Sequence, residues 1–197
     1  MTKAEKTKQF IIETVAPIFN KKGVYGTSMN DITQATGLTK GAIYGNFKDK
    51  DDLANTCYDQ NLIFLQKGFY RSFTGAHSNW EKLEELLLFY RSNFTELSAA
   101  GGCPLMNTAI EADDGYTLLQ DRVRQTFEAW EKELEAIISE GQESGEFNAH
   151  SDASTLSKLF IATVEGAILL SKTTNNTETF GQVIDKFSLI LEKELKL

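Results

Sequence analysis

Apolar residues recur at spacings of three and four along almost the whole chain, and no extended stretch alternates apolar with polar positions. That period belongs to amphipathic helices rather than half-buried strands, so the expected fold class is all-α. The pattern predicts helices over 3–22, 50–73, 79–97, 104–112, 116–144, 151–171 and 177–195, with two shorter ones inside 27–47. Composition marks the breaks: TGAHS at 74–78, SAAGG at 98–102, SGEFNAH at 144–150 and TTNNT at 173–177. One local misfit stands in the first helix, whose expected apolar side reads Phe10, Ile11, Thr14, Val15, Ile18 and Phe19. Pro17 falls inside it, where a proline forfeits a backbone hydrogen bond and is expected to kink the helix.

The segment TSMNDITQATGLTKGAIYGNF, residues 27–47, carries the densest local signals. Thr27 or Ser28 can cap a short helix with Met29, Ile32 and Ala35 on one face and Asp31 in its first turn. Gly37 ends that helix, Leu38 turns inward, and Thr39 can cap a second whose Ile43 and Phe47, one turn apart, face a core. Two short helices joined by a glycine turn, the second nearly devoid of acids, form the arrangement that places a recognition helix in the DNA major groove. A hairpin buried in a bundle has no evident need for Lys40, Tyr44 and Lys48 on one helix. Nor does it need glycines at 41 and 45, which lower helix propensity by up to about 1 kcal/mol each relative to alanine. Gly41 lets a backbone approach a groove closely, Ala42 can touch a thymine methyl, and Asn46 can bond adenine or a phosphate. Beyond this segment, Asp49 can cap the next helix.

Charge sharpens the picture. The whole chain carries a formal charge of -8, which argues against a protein coated in nucleic acid. Yet residues 1–50 hold eight lysines (3, 6, 8, 21, 22, 40, 48 and 50) against four acids, whereas the remainder holds twelve basic residues against twenty-four acids. A basic end on an acidic body suits a protein that sets one end on DNA.

Other function classes find less support. No apolar run approaches the length of a membrane span, and the N-terminus has no secretory pattern, so a cytoplasmic location is expected. Cys57 and Cys103 are too few for a disulfide framework and have no CxxC spacing, which excludes a zinc ribbon; no metal and no cofactor is expected. An enzyme reading would need Cys103 as nucleophile with His77 or His150 as base, but both histidines fall in polar linkers. Redox sensing through either thiol remains open.

The residues themselves resemble a family. The run from Thr27 to Leu53, with TS, DI, G, TKGAIY, NFK and KDDL in order, is similar to the DNA-binding head of TetR-family regulators, and the likeness extends back to the first helix. The resemblance implies a DNA-binding domain at 1–49 and a ligand-binding and dimerisation domain at 50–197. It implies a repressor that grips a pseudo-palindromic operator as a homodimer and leaves it when a small effector binds. It assigns Thr27, Thr39, Lys40, Tyr44, Asn46, Lys48 and Lys50 to the DNA face, beside Ser28, Gly41 and Ala42. Gly45 departs from the usual pattern, since many relatives carry a large side chain there, which leaves the helix more dependent on DNA shape. A second stretch, GGCPLMNTAIEADD at 101–114, is similar to a segment of some TetR-family ligand domains.

In the acidic body, Phe64, Tyr90, Phe94, Cys103, Met106, Asn107, Ile110, Phe127 and Trp130 can line an aromatic pocket with a few polar anchors, although such residues equally make plain core. Glu111, Asp113 and Asp114 can orient a cationic ligand. The last two helices bear apolar stripes, and the resemblance implies that they build a four-helix dimer interface from Phe160, Val164, Ala167, Phe180, Val183, Ile184, Phe187 and Ile190. A structural DNA-binding factor of the same fold, without any effector, remains the alternative.

Overall fold

The computed structural model describes residues 1–196, and the side chains of Ser72 and Asp114 lie outside the described residues. Nine α-helices and no strand occur among the described residues: α1 (Lys3–Lys22), α2 (Met29–Thr36), α3 (Lys40–Tyr44), α4 (Lys50–Phe73), α5 (Asn79–Ala99), α6 (Pro104–Asp114), α7 (Gln120–Glu143), α8 (Ala153–Thr173) and α9 (Thr177–Leu195). A 3-10 turn over Thr117–Leu119 precedes α7, so the helix expected from 116 begins four residues later.

Local chemistry explains the helix ends. Thr2 and Glu5 form a capping box on α1, Ser28 and Asp31 form another on α2, and Thr39, Asp152 and Asn176 each cap the helix that follows. The α1 helix runs unbroken through Pro17, which lies exposed. The carbonyl deprived of its partner, one turn earlier at Glu13, is on the same exposed side, where water can satisfy it. The buried stripe is Ile11, Ile12, Val15, Ala16 and Phe19, rotated from the expected one, and Phe10 is 46% exposed.

Residues group into two compact units: Met1–Leu65 with Ala100–Arg124, and Gln66–Ala99 with Gln125–Leu197. The expected head at 1–49 falls inside the first, which also takes in the start of α4 and the whole of α6. Its core is built from Ile11, Val15, Ile32, Ile43, Phe47 and Leu53, each almost fully buried.

The second unit is dominated by α8 packed along α9, with α5 against both. Phe160 meets Phe187 edge to face at 5.6 Å, and Phe94 stacks on Phe180 at 4.4 Å. This packing corrects the expected dimer residues. Phe160, Val164, Ala167, Phe180, Ile184 and Phe187 are each no more than 3% exposed within a single chain, so they close the monomer core and have no surface left for a second copy. Val183 is half-buried, and Ile190, at 39% exposure, stays available. The α8 helix is long and apolar enough to cross a membrane by length and composition, because it is apolar on two faces. One face holds Leu156, Phe160, Val164, Ala167 and Ile168 inside; the other leaves Leu159, Leu169 and Leu170 in solvent.

Candidate nucleic-acid interface

The α2–α3 pair is set by short-range bonds. Gly37 adopts φ 68°, a left-handed conformation that side chains disfavour, and its N–H closes α2 on the Thr33 carbonyl. Thr36 donates its hydroxyl to the Ile32 carbonyl at 2.8 Å and accepts the Leu38 N–H at 3.3 Å, which fixes the first step of the turn. Thr39 then starts α3 by accepting the Ala42 N–H at 3.2 Å. Ile43 and Phe47 anchor the inner side of this segment in the core.

The outer side is chemically simple. Ser28, Thr39, Lys40, Gly41, Tyr44, Gly45 and Lys48 are exposed, Ala42 and Lys50 are half-buried, and α3 carries no acid. On the first helix, Lys8 lies 5.1 Å over the Phe47 ring. Lys22 pairs with Asp31 at 3.3 Å, one charge of each sign, so the net basic excess of residues 1–50 is unchanged. The Ser28 hydroxyl and then its backbone N–H hold the Asp31 carboxyl down at about 2, so the cap of α2 stays charged through the working range.

Thr27 is corrected, and Asn46 has an internal bond that its residue type does not announce. Thr27 is fully buried; its hydroxyl donates to the Gly23 carbonyl at 2.7 Å and its N–H to the Val24 carbonyl at 3.3 Å. It is Ser28 that caps α2, and Thr27 has nothing to offer a phosphate. Asn46 is half-buried, and its amide nitrogen donates to the Ala42 carbonyl at 2.9 Å. That bond fastens the end of α3 and leaves the second amide N–H and the side-chain oxygen without a part in it. Gly41 behaves in the opposite way: a Cβ added there would meet only the Thr39 hydroxyl oxygen, at 4.0 Å. Among the described residues, no packing contact requires a glycine at 41.

The nine expected pocket residues do not converge in either compact unit. Phe64, Cys103, Met106, Asn107 and Ile110 belong to the first, and Tyr90, Phe94, Phe127 and Trp130 to the second. Within the first unit Ile110 is 58% exposed and Cys103 is fully buried. Asn107 spends its amide on Asn20 and Gly101, and Glu111 spends its carboxylate on the backbone of Val24 and Tyr25, so neither waits for a ligand. Within the second unit Tyr90 and Trp130 stack at 6.1 Å, and the buried Trp130 indole N–H has no hydrogen-bond partner among the described residues. Phe94 also borders an open groove of about 470 Å³ lined by Arg91, Glu178, Gln182 and Asp185. Cys57 and Cys103 are both buried, and burial pushes the Cys57 thiol up to about 12, far from a reactive thiolate.

Two family models match the chain: one described as bacterial regulatory proteins, tetR family, over residues 11–57, and one described as tetracyclin repressor-like, C-terminal domain, over residues 80–187. The HTH-type transcriptional repressor DhaR of Mycobacterium sp. (strain GP1) is 25% identical over 177 residues, covering 90% of this chain and 88% of that protein. A TetR-family transcriptional regulator from Cytophaga hutchinsonii shares 36% identity with a TM-score of 0.89, covering 100% of this chain and 98% of that one. A TetR transcriptional regulator from Chloroflexus aurantiacus J-10-FL shares 30% identity with a TM-score of 0.94 over the full length of both chains.

Proposed function

Because this chain belongs to the TetR family of DNA-binding transcriptional regulators, we propose that it is a repressor that holds a pseudo-palindromic operator as a homodimer and lets go when a small molecule binds its acidic body. The observation that carries the operator reading is the acid-free outer side of α3, with Lys40, Tyr44 and Lys48 exposed around a glycine that the protein's own packing does not need. Repression is what the printed name of DhaR supports.

The homodimer rests on the outer face of α8. Leu159, Ala162, Gly166, Leu169 and Leu170 follow one another at helical spacing on one side, and a Cβ added at Gly166 would meet nothing within 4 Å. Leu189 and Ile190 on α9 are exposed as well. A second copy seated on this face would bury it by two-fold symmetry, and two-fold protein meets a palindrome whose half-sites lie roughly 34 Å apart. The effector reading rests on Trp130: a buried donor without an acceptor costs on the order of 1–3 kcal/mol, which a ligand carrying an acceptor beside the Tyr90 ring would relieve.

Selection of duplex fragments from a random pool, with and without an extract of small molecules, tests these parts together. A two-fold symmetric consensus released by the extract is the expected result. An asymmetric consensus argues against the homodimer, and retention whatever the extract argues against the effector.

Two substitutions probe the DNA face. Lys48→Ala is expected to weaken binding to all sequences alike and to flatten the plot of log K against log salt by roughly 0.9 for the lost phosphate contact. An unchanged slope removes Lys48 from the interface. Gly41→Leu is expected to leave the melting temperature equal or higher, since leucine is the better helix former and space is open, while operator affinity falls about tenfold. Unaltered affinity would place Gly41 away from the groove.

A further inference from the structure

The stretch at 101–114 grips the end of α1 and the turn into α2. Asn107 and Glu111 lie four residues apart on α6 and so share one face. The two N–H groups of the Asn107 amide are shared among three acceptors, the Asn20 backbone carbonyl at 3.1 Å, the Asn20 side-chain oxygen at 3.0 Å and the Gly101 carbonyl at 3.0 Å. Asn20 returns the contact, its own amide nitrogen reaching the carbonyls of Ala100 at 2.9 Å and Gly102 at 3.3 Å. One turn along, the Glu111 carboxylate accepts two consecutive backbone N–H groups, Val24 at 2.9 Å and Tyr25 at 2.6 Å. The approach is so close that a Cβ at Gly23 would fall 2.9 Å from the Glu111 Oε1.

The bonded residues do not stop at the turn. Gly23 and Val24 offer their carbonyls to the hydroxyl and the N–H of the buried Thr27, next to Ser28, which caps α2. A shift of the turn therefore passes through Thr27 to α2 and, across the fixed Gly37 turn, to α3.

We propose that Glu111 and Asn107 are positioning residues for operator binding. They sit some sixty residues beyond the recognition helix and touch no DNA, but they set the path of the chain from α1 into α2 and with it the aim of α3. This rests on the operator reading above. Carboxylate bonds to two amides are charge-assisted, so losing them frees a turn that DNA must then order at a cost in affinity.

The test uses the full chain and the duplex selected by the wild type. Glu111→Ala is expected to lower operator affinity about tenfold, and Asn107→Ala by a smaller factor. Glu111→Gln, which keeps one acceptor, should fall between wild type and Glu111→Ala. The salt slope should stay at its wild-type value, because no phosphate contact is lost. Amide hydrogen exchange at Val24 and Tyr25 should speed up while Ile11 and Val15 in the middle of α1 keep their protection. Affinity that falls only in proportion to the fraction of active protein, with the same Kd for the remainder, would make the grip a matter of stability and overturn the proposal. Unaltered exchange at Val24 and Tyr25 in Glu111→Gln would overturn it without reference to DNA. A wild type that selects no sequence would overturn the operator reading, and the exchange result would still report whether the grip exists.

Discussion

Leu170→Glu is expected to give a folded monomer whose operator affinity has dropped by about 10²–10⁴-fold, the range lost when two linked binding modules become one. Leu170 is 53% exposed and lies with Leu159 and Leu169 on the outer side of α8, so a single chain loses little when it becomes charged. Two copies facing each other would bury two uncompensated carboxylates at the two-fold axis, and that penalty falls on the dimer alone. Sedimentation at micromolar concentration separates the outcomes, with a melting curve to show that the monomer is folded. A variant that remains dimeric would remove this face of α8 from the interface.

Phe187→Ala, on the neighbouring helix, is expected to act in the opposite way and lower the unfolding free energy by about 3–5 kcal/mol. Phe187 is 3% exposed and packs edge to face on Phe160 between α8 and α9, so its removal leaves a cavity that the two helices cannot close. Against the roughly 5–15 kcal/mol that holds a typical domain together, that loss is large. Phe10→Ala removes the same side chain from a position 46% exposed, and its cost should stay near about 1 kcal/mol. Urea unfolding at one fixed protein concentration compares them, the concentration being held because association adds to apparent stability. Equal costs would contradict the packing of α8 on α9. Together the Leu170 and Phe187 variants separate the proposed surface between copies from the core within one copy, a division that the apolar stripes alone had merged.

The helix-turn-helix segment was legible largely because its determinants are near neighbours in the chain. Ser28 caps its own third residue, Thr39 does the same, Gly37 ends its own helix, and Lys40 and Tyr44 on α3 and Lys48 just after it are exposed while Ile43 and Phe47 are buried. Thr27 and Asn46 on that segment are short polar side chains that bond backbone carbonyls four residues away, a competition between internal and external bonding that residue type does not resolve. Asn107 and Glu111 were misread for a different reason. Their partners, Asn20, Val24 and Tyr25, lie more than eighty positions earlier, so the same residue types that suggest a ligand anchor were already occupied by the protein itself.

The sequence by itself determined the all-α class, the extent of nearly every helix and the helix-turn-helix with its basic outer side, because periodicity, caps and glycine stops act within a few residues. Tertiary structure alone decided which face of α8 and α9 is core, since a helix apolar on two sides carries no label saying which side meets its own chain. It also decided that the polar side chains of α6 hold the start of the DNA-binding segment, because a hydrogen bond between residues eighty apart exists only once the helices are packed.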